Sequence, residues 1–285
     1  MSTAASLSGV KTRRLAGRAL SHLVLIATCV VIGLPFLWML STSLKGSTEV
    51  HIFPPIWWPA RLHFENFVVA WQTAPFGRFY VNSLITSVSG VIIDVLVACL
   101  SGYAFARIRF PYRNQLFVVM LAAMMIPNQM ALIPNYVTLK VLGWVNTYPG
   151  IVLPHCYSVV GAFLLRQYFL SLPDALFDAA IMDGLGHGGS LIRIAIPLAR
   201  PAVATVTLTY FIGKWNEYLW PLIVTNTQNM RTLPVGLAMV EKAEYQIGPE
   251  HLMAASIFVL VPVLVVFFLA QKQLIAGIAA GAVKG

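Results

Sequence analysis

Asp94, Lys214 and Glu217 are ionisable side chains set inside otherwise apolar stretches of the chain. A charge within a bilayer costs about 2.5–3.5 kcal/mol on insertion scales, so each must face protein or water and is a candidate for binding or proton chemistry. Lys214 and Glu217 are three residues apart, which on a helix puts them on one side and predicts that they pair. Two roles are open to the pair. It holds its span to neighbouring helices, or it lines a central cavity with Asn216 and Trp220, where polar side chains would bond the hydroxyls of a polar ligand and an aromatic ring would stack on it. Asp94 reads as structural, anchored by serines or a tyrosine of another helix.

The elements that must position these groups are membrane spans. Of 285 residues, 58% are hydrophobic and 10% charged, too little charge for the surface of a soluble domain of this size. Six stretches are long and apolar enough to cross, at about 21–43, 81–105, 115–134, 150–169, 202–224 and 252–271. The first follows Lys11, Arg13, Arg14 and Arg18 but runs past twenty residues without a clean cleavage site, so it reads as a transmembrane helix and not a secretory leader. With the N-terminus placed inside, twelve Lys and Arg fall in inner segments and six in outer ones, Lys214 being intramembrane. That bias predicts both termini in the cytoplasm. The net charge of +9 is then mainly a topology signal, and no nucleic-acid partner is expected. Pro54, Pro55, Trp57, Trp58 and Trp71 make 44–80 either an interfacial segment or a plain outer loop. Cys29, Cys99 and Cys156 read as small buried hydrophobes, and the six scattered histidines form no metal site.

Residues 171–201, SLPDALFDAAIMDGLGHGGSLIRIAIPLARP, carry helix signals of their own between two spans. Ser171 with Asp174 fits a capping box, and Pro173 suits a first turn. Asp183-Gly184, then Gly186, Gly188 and Gly189, should end the helix near Asp183. About three turns, roughly 15 Å, are too short to span. Such a helix either lies in the headgroup layer or docks on another protein.

Asp178-Ala179-Ala180, Asp183-Gly184 at offsets five and six, and Ile196-Pro197 at eighteen and nineteen resemble the "EAA" loop of binding-protein-dependent ABC importer permeases, with Asp178 where the family usually has Glu and Leu185 where it usually has a small residue. Gly102-Tyr103-Ala104-Phe105-Ala106-Arg107, Phe163-Leu164-Leu165-Arg166-Gln167, the run Trp215 to Leu222 and the ending Gly281-Ala282-Val283-Lys284-Gly285 are similar to carbohydrate-importer permeases of the maltose and glycerol-3-phosphate type.

The resemblance implies an all-α integral membrane protein with six transmembrane helices, a type I importer permease (MetI-like) fold and a cytoplasmic coupling helix. It divides the chain into a cytoplasmic tail 1–20, a first span 21–43, an external segment 44–80, a transmembrane domain 81–275 with five helices and the coupling loop 171–201, and a cytoplasmic tail 276–285. It implies multi-pass insertion in a bacterial plasma membrane and an extra first helix packing on a second, homologous permease. Two ABC ATPase subunits would meet Asp178, Ala179, Ala180, Asp183 and Gly184, and an extracytoplasmic binding protein would deliver substrate. It also places substrate contacts on the fifth span, here Lys214, Asn216, Glu217 and Trp220. No G-x-x-x-x-G-K-[ST] is present, so ATP and magnesium would be held by the ATPase partner, with no cofactor and no catalysis in this chain. An ion-coupled secondary transporter using Asp94 and Glu217 is the alternative, disfavoured by the lack of an inverted repeat. A membrane-embedded enzyme is the third reading, for which no nucleophile or metal constellation is present.

Overall fold

The computed structural model describes secondary structure for residues 2–241 and 247–282 and side chains for 17–241 and 247–271. The side chains of Lys11, Arg13, Arg14, Lys242, Lys272 and Lys284, and the closing Val283-Lys284-Gly285, lie outside the described residues. The described chain is all helix and connection, with no strand, and it forms two compact units.

The first unit comprises residues 1–70 and 247–257. Its helix α1 (Ser2–Ser43) contains a candidate span, Gly17–Ser43, whose most apolar stretch buries no residue. A helix apolar all round and uncovered by its own chain presents that surface to lipid or to another subunit. Cys29 is exposed there, contrary to the burial expected of it. The segment that follows is a tethered connection. Asn66, near the start of α2 (Glu65–Thr73), donates its amide to the carbonyls of Ser43 and Lys45 at 2.9 and 2.8 Å. Lys45 is 1% exposed, with its ammonium 3.9 Å over the Trp38 ring, and its burial lowers its pKa. The Glu49 carboxylate accepts the Ala60 and Gly46 N–H groups at 3.0 and 3.1 Å. Those two bonds hold its carboxyl below the usual range. The sequence could not decide between an interfacial segment and a plain loop for 44–80, because such ties come from single polar side chains and carry no periodicity.

The second unit comprises residues 71–246 and 258–285, and its axis is α3 (Phe76–Arg107). Around it come α4 (Arg113–Ala122), α5 (Leu132–Leu142), α6 (Tyr148–Val152), α7 (Val159–Leu170), α8 (Asp174–Met182), α9 (His187–Ser190), a π turn Leu191–Ala195, α10 (Ile196–Leu198), α11 (Arg200–Trp215), α12 (Leu219–Val224) and α13 (Leu233–Met239); α14 (Pro249–Ala282) begins in the first unit and ends in the second. α7 lies along α3 on a seam of small residues. A Cβ on Gly102 would stand 3.1 Å from the Ala162 carbonyl oxygen and the Arg166 nitrogen. One on Gly161 would stand 2.9 Å from the Ala98 Cβ. Backbones approach this closely only where side chains are this small. Around the seam Leu165, Phe169, Ala195, Ala199 and Val206 are buried with Ala98.

Among the described residues three single helices are long and apolar enough to span, Gly17–Ser43, Phe76–Arg107 and Pro249–Gln271. The other three candidate spans are bent pairs: Arg113–Met125 with Asn128–Leu142 at 85°, Tyr148–His155 with Val159–Leu170 at 50°, and His187–Leu198 with Arg200–Trp215 at 84°. Six spans result when each bent pair counts as one. Pro127 stands at the first bend, where its missing N–H frees a carbonyl. The fifth expected span, 202–224, is broken: α11 stops at Trp215 and α12 begins at Leu219, with Pro221 unable to donate to the carbonyl four residues back. At one end of α3 the buried Asn82 donates to the carbonyls of Asn229 and Arg231, both at 2.8 Å, and accepts from the Tyr148 hydroxyl at 2.7 Å.

Candidate functional site

α8 begins differently from its sequence reading. Pro173, in extended conformation, is the N-cap and makes no side-chain cap. The Ser171 hydroxyl turns back to the Tyr168 carbonyl at 2.8 Å, so the expected capping box is absent and Asp174 is free for another partner. That partner is Arg107, at the end of α3. Its guanidinium pairs with the Asp174 carboxylate, donates to the Phe169 and Leu172 carbonyls, each at 2.6 Å, and sits 4.1 Å over the Phe177 ring. One planar fork thus holds the end of α7, the turn and the start of α8 together.

The C-terminus of α8 obeys the expectation. Gly184 has φ +77°, its N–H bonds the Ile181 carbonyl at 3.0 Å and the Leu185 N–H bonds the Ala180 carbonyl at 2.8 Å. These two bonds are the Schellman closure, which needs a left-handed residue where Gly stands. Phe177 and Ala180 are buried at 8% and 3%, while Ile181 and Met182 are 61% and 86% exposed. Asp178, Ala179 and Asp183 are also exposed. The helix therefore offers an outward face of mixed apolar and acidic character, fixed from behind by Phe177 and Arg107.

The intramembrane charges arrange themselves across helices. Lys214 on α11 pairs with Asp94 on α3, Nζ to Oδ2 at 3.0 Å, and donates to the His155 carbonyl at 3.2 Å. The expected Lys214–Glu217 pairing gives way to this one because α11 ends between the two residues, and the serine or tyrosine anchor expected for Asp94 gives way to an ammonium. Gly90 makes the reach possible: a Cβ there would lie 2.6 Å from Lys214 Cδ and 2.9 Å from Cε. Gly90→Val is expected to displace the lysine stem and lower the unfolding temperature in detergent, by about 1–3 kcal/mol of stability for overpacking. Unchanged melting would contradict that packing role.

Glu217 is exposed in the break, and its carboxylate accepts the Trp220 backbone N–H at 3.3 Å, closing the first turn of α12. Trp220 is 1% exposed, its indole N–H shared between the Gly150 and Ile151 carbonyls at 3.2 Å and its ring 4.8 Å from the His155 imidazole. Asn216 is exposed and bonds the Ile212 carbonyl at 2.9 Å. Lys214, Glu217 and Trp220 share a cavity of about 50 Å³ with His155. A larger one, about 370 Å³, is lined by Asp94, Asn128, His155, Tyr157, Lys214 and Glu217 among others. Sequence reading missed His155, Tyr157 and Asn128. The available signals were Pro154 and Pro127, which place polar residues at bends inside apolar runs.

Residues 94–279 match the family described as the binding-protein-dependent transport system inner membrane component. The chain belongs to this family. The diacetylchitobiose uptake system permease protein NgcG of Streptomyces coelicolor is 33% identical over 92% of this chain and 88% of its own length. The arabinooligosaccharides transport system permease protein AraQ of Bacillus subtilis is 32% identical over 88% and 90%, and the sn-glycerol-3-phosphate transport system permease protein UgpE of Brucella abortus 30% over 91% and 95%. A bacterial ABC transporter importing alginate superposes with a TM-score of 0.79 at 22% identity, covering 92% of this chain and 98% of that one. A second structure, of a bacterial alginate ABC transporter in complex with an alginate pentasaccharide-bound periplasmic protein, superposes at 0.65 and 16% identity, covering 92% and 96%. The fold is that of an ABC importer permease, as the family's loop signature led the sequence to suggest.

Proposed function

We propose that this chain is a permease subunit of an ATP-driven importer for a carbohydrate or a sugar or glycerol phosphate in a bacterial plasma membrane, with both termini cytoplasmic. The observation that carries the reading is α8: a short, rigidly closed helix with Asp178, Ala179, Asp183 and Met182 exposed and its inner face clamped by Arg107, within a chain whose family relatives are transport permeases. On this reading two separate ATPase subunits receive α8, bind ATP and magnesium and hydrolyse the nucleotide. A second, homologous permease completes the pathway, and the exposed apolar α1 suits packing on that partner. An extracytoplasmic binding protein delivers substrate, and the two permeases alternate between inward and outward openings. The alternative of ion coupling through Asp94 and Glu217 finds no support in the relatives' names.

Purification of the tagged chain is expected to bring an ATPase subunit with it. Gly184→Pro removes the N–H that closes α8 and forbids the left-handed φ, and Asp178→Lys reverses an exposed charge. Each is expected to lower substrate-stimulated ATP hydrolysis and uptake by at least about tenfold, a change of roughly 1.4 kcal/mol in coupling, in complexes that still assemble. Uptake at the parental rate by both variants would remove α8 from the coupling route.

A further inference from the structure

The class of substrate admitted can be read from the charges lining the 370 Å³ cavity, a volume within the range of about 300–1,000 Å³ usual for small-molecule sites. The lining holds two carboxylates, Asp94 and Glu217, against one ammonium, Lys214, and one imidazole, His155, with no arginine among its described residues. The ammonium is already matched, lying 3.0 Å from the Asp94 carboxylate and 3.2 Å from the His155 carbonyl. Whether or not His155 carries a proton, the lining has no surplus of positive charge, and with a neutral imidazole it has one surplus negative charge.

Recognition of a phosphate or carboxylate calls for an arginine fork, a free ammonium or an open helix N-terminus. The N-terminus of α7 does reach the cavity at Val159 and Val160. Its Gly161 N–H, however, is taken by the Tyr210 phenol oxygen at 2.9 Å, and Ala162 opens the helical ladder on the Ser158 carbonyl at 2.8 Å, so the end offers an anion only the Val159 and Val160 N–H groups. The half charge of a helix end is also smaller than that of one carboxylate. Hydroxyl-bonding capacity, in contrast, is plentiful. Asn128, Tyr157 and Glu217 line this space and are exposed, while behind them Asp94 Oδ1 and His155 Nδ1 are buried without a protein partner. The Tyr157 ring, 46% exposed, offers the stacking face that Trp220, buried on backbone carbonyls, does not.

We propose that the cavity beside the Asp94–Lys214 pair admits uncharged polyhydroxylated substrates and excludes those carrying phosphate or carboxylate, with Asp94 and Glu217 as the excluding charges. This rests on the importer reading and narrows it.

A thiol placed on the lining tests the charge directly in the complete complex. Gly213 lines the cavity, and a Cβ there meets nothing within 4 Å. With Cys29, Cys99 and Cys156 replaced by alanine, G213C is treated in parallel with trimethylammonium-bearing, sulfonate-bearing and uncharged methanethiosulfonates, the rates being normalised to a free thiol. The cationic reagent is expected to react about tenfold faster than the anionic one, the lower end of focusing in a charged cleft, and Glu217→Gln is expected to shrink that bias several-fold. An anionic rate equal to or above the cationic one overturns the proposal, as does failure of the uncharged reagent to modify the thiol. ATP-driven uptake of glycerol-3-phosphate by the complete complex also overturns it, and leaves the importer reading standing. Purification without an ATPase subunit overturns the importer reading instead, a result the thiol rates do not share.

Discussion

Arg107→Ala is expected to release the loop that carries α8 while leaving the spans inserted. Three bonds and a ring contact converge on that guanidinium: the Phe169 and Leu172 carbonyls at 2.6 Å, the Asp174 carboxylate and the Phe177 ring at 4.1 Å. The side chain is 11% exposed, so the carbonyls it serves lose charge-assisted donors that water replaces only in part. The Asp174 end is 86% exposed and contributes little after solvent screening. Most of the expected loss, about 3 kcal/mol of local stability, therefore comes from the two carbonyl bonds and the ring. The measurable results are faster proteolysis within 171–190 and substrate-stimulated ATP hydrolysis lowered by about tenfold or more at unchanged assembly. Arg107→Lys should fall between the two, because an ammonium is a point donor without the fork that reaches two carbonyls at once. Parental proteolysis and coupling in the alanine variant would show that α8 is held by packing alone.

The second large effect is expected at the ion pair. Lys214→Met leaves Asp94 without its ammonium at a position 1% exposed, and breaking a buried pair from one side costs about 3–5 kcal/mol. The complementary Asp94→Asn strands the ammonium less severely, because Lys214 keeps the His155 carbonyl and is 18% exposed. The double variant Asp94→Asn with Lys214→Met removes both charges and is expected to recover much of the loss, since desolvating the pair consumes most of its own attraction. Thermal unfolding of the three variants in detergent decides the matter. A double variant as unstable as the sum of the single ones would mean that the two residues act independently and that the 3.0 Å contact contributes no coupling.

Legibility of this chain in its sequence divides by the kind of signal. Most of the spans were legible because hydrophobic length announces them, although the fifth is broken after Trp215, and the end of α8 was legible because Gly184 is the residue a left-handed cap demands. The start of α8 was misread: Ser171 and Asp174 have the spacing of a capping box, yet both side chains found partners elsewhere, Ser171 on Tyr168 and Asp174 on Arg107. The partner of Lys214 was misread for a different reason. Spacing rules see only neighbours on one helix, and the helix ends between Lys214 and Glu217, so the pairing was decided by Asp94, 120 positions earlier in the chain, and by a glycine that clears the way. Trp220 does line the small cavity with Lys214 and Glu217, but its indole N–H is held on the Gly150 and Ile151 carbonyls, a tie that no spacing rule announces. The loop signature, by contrast, fixes residue types over twenty positions, and it pointed to the family that residues 94–279 match.

The seam between α3 and α7 has a mechanical consequence. Ala98, Gly102 and Gly161 leave no slack between the two backbones, so sliding one helix along the other would drive Cβ atoms into carbonyls. α3 and α7 must therefore tilt together as a stiff beam. Asp94 and Arg107 are thirteen residues apart on that beam, about 20 Å at 1.5 Å per residue. A tilt of about 10° pivoting at one of them swings the other by roughly 3–4 Å over that length. On the importer reading proposed above, a push on the loop would therefore shift the Asp94 end of the beam by an amount comparable to the 3.0 Å contact it makes with Lys214.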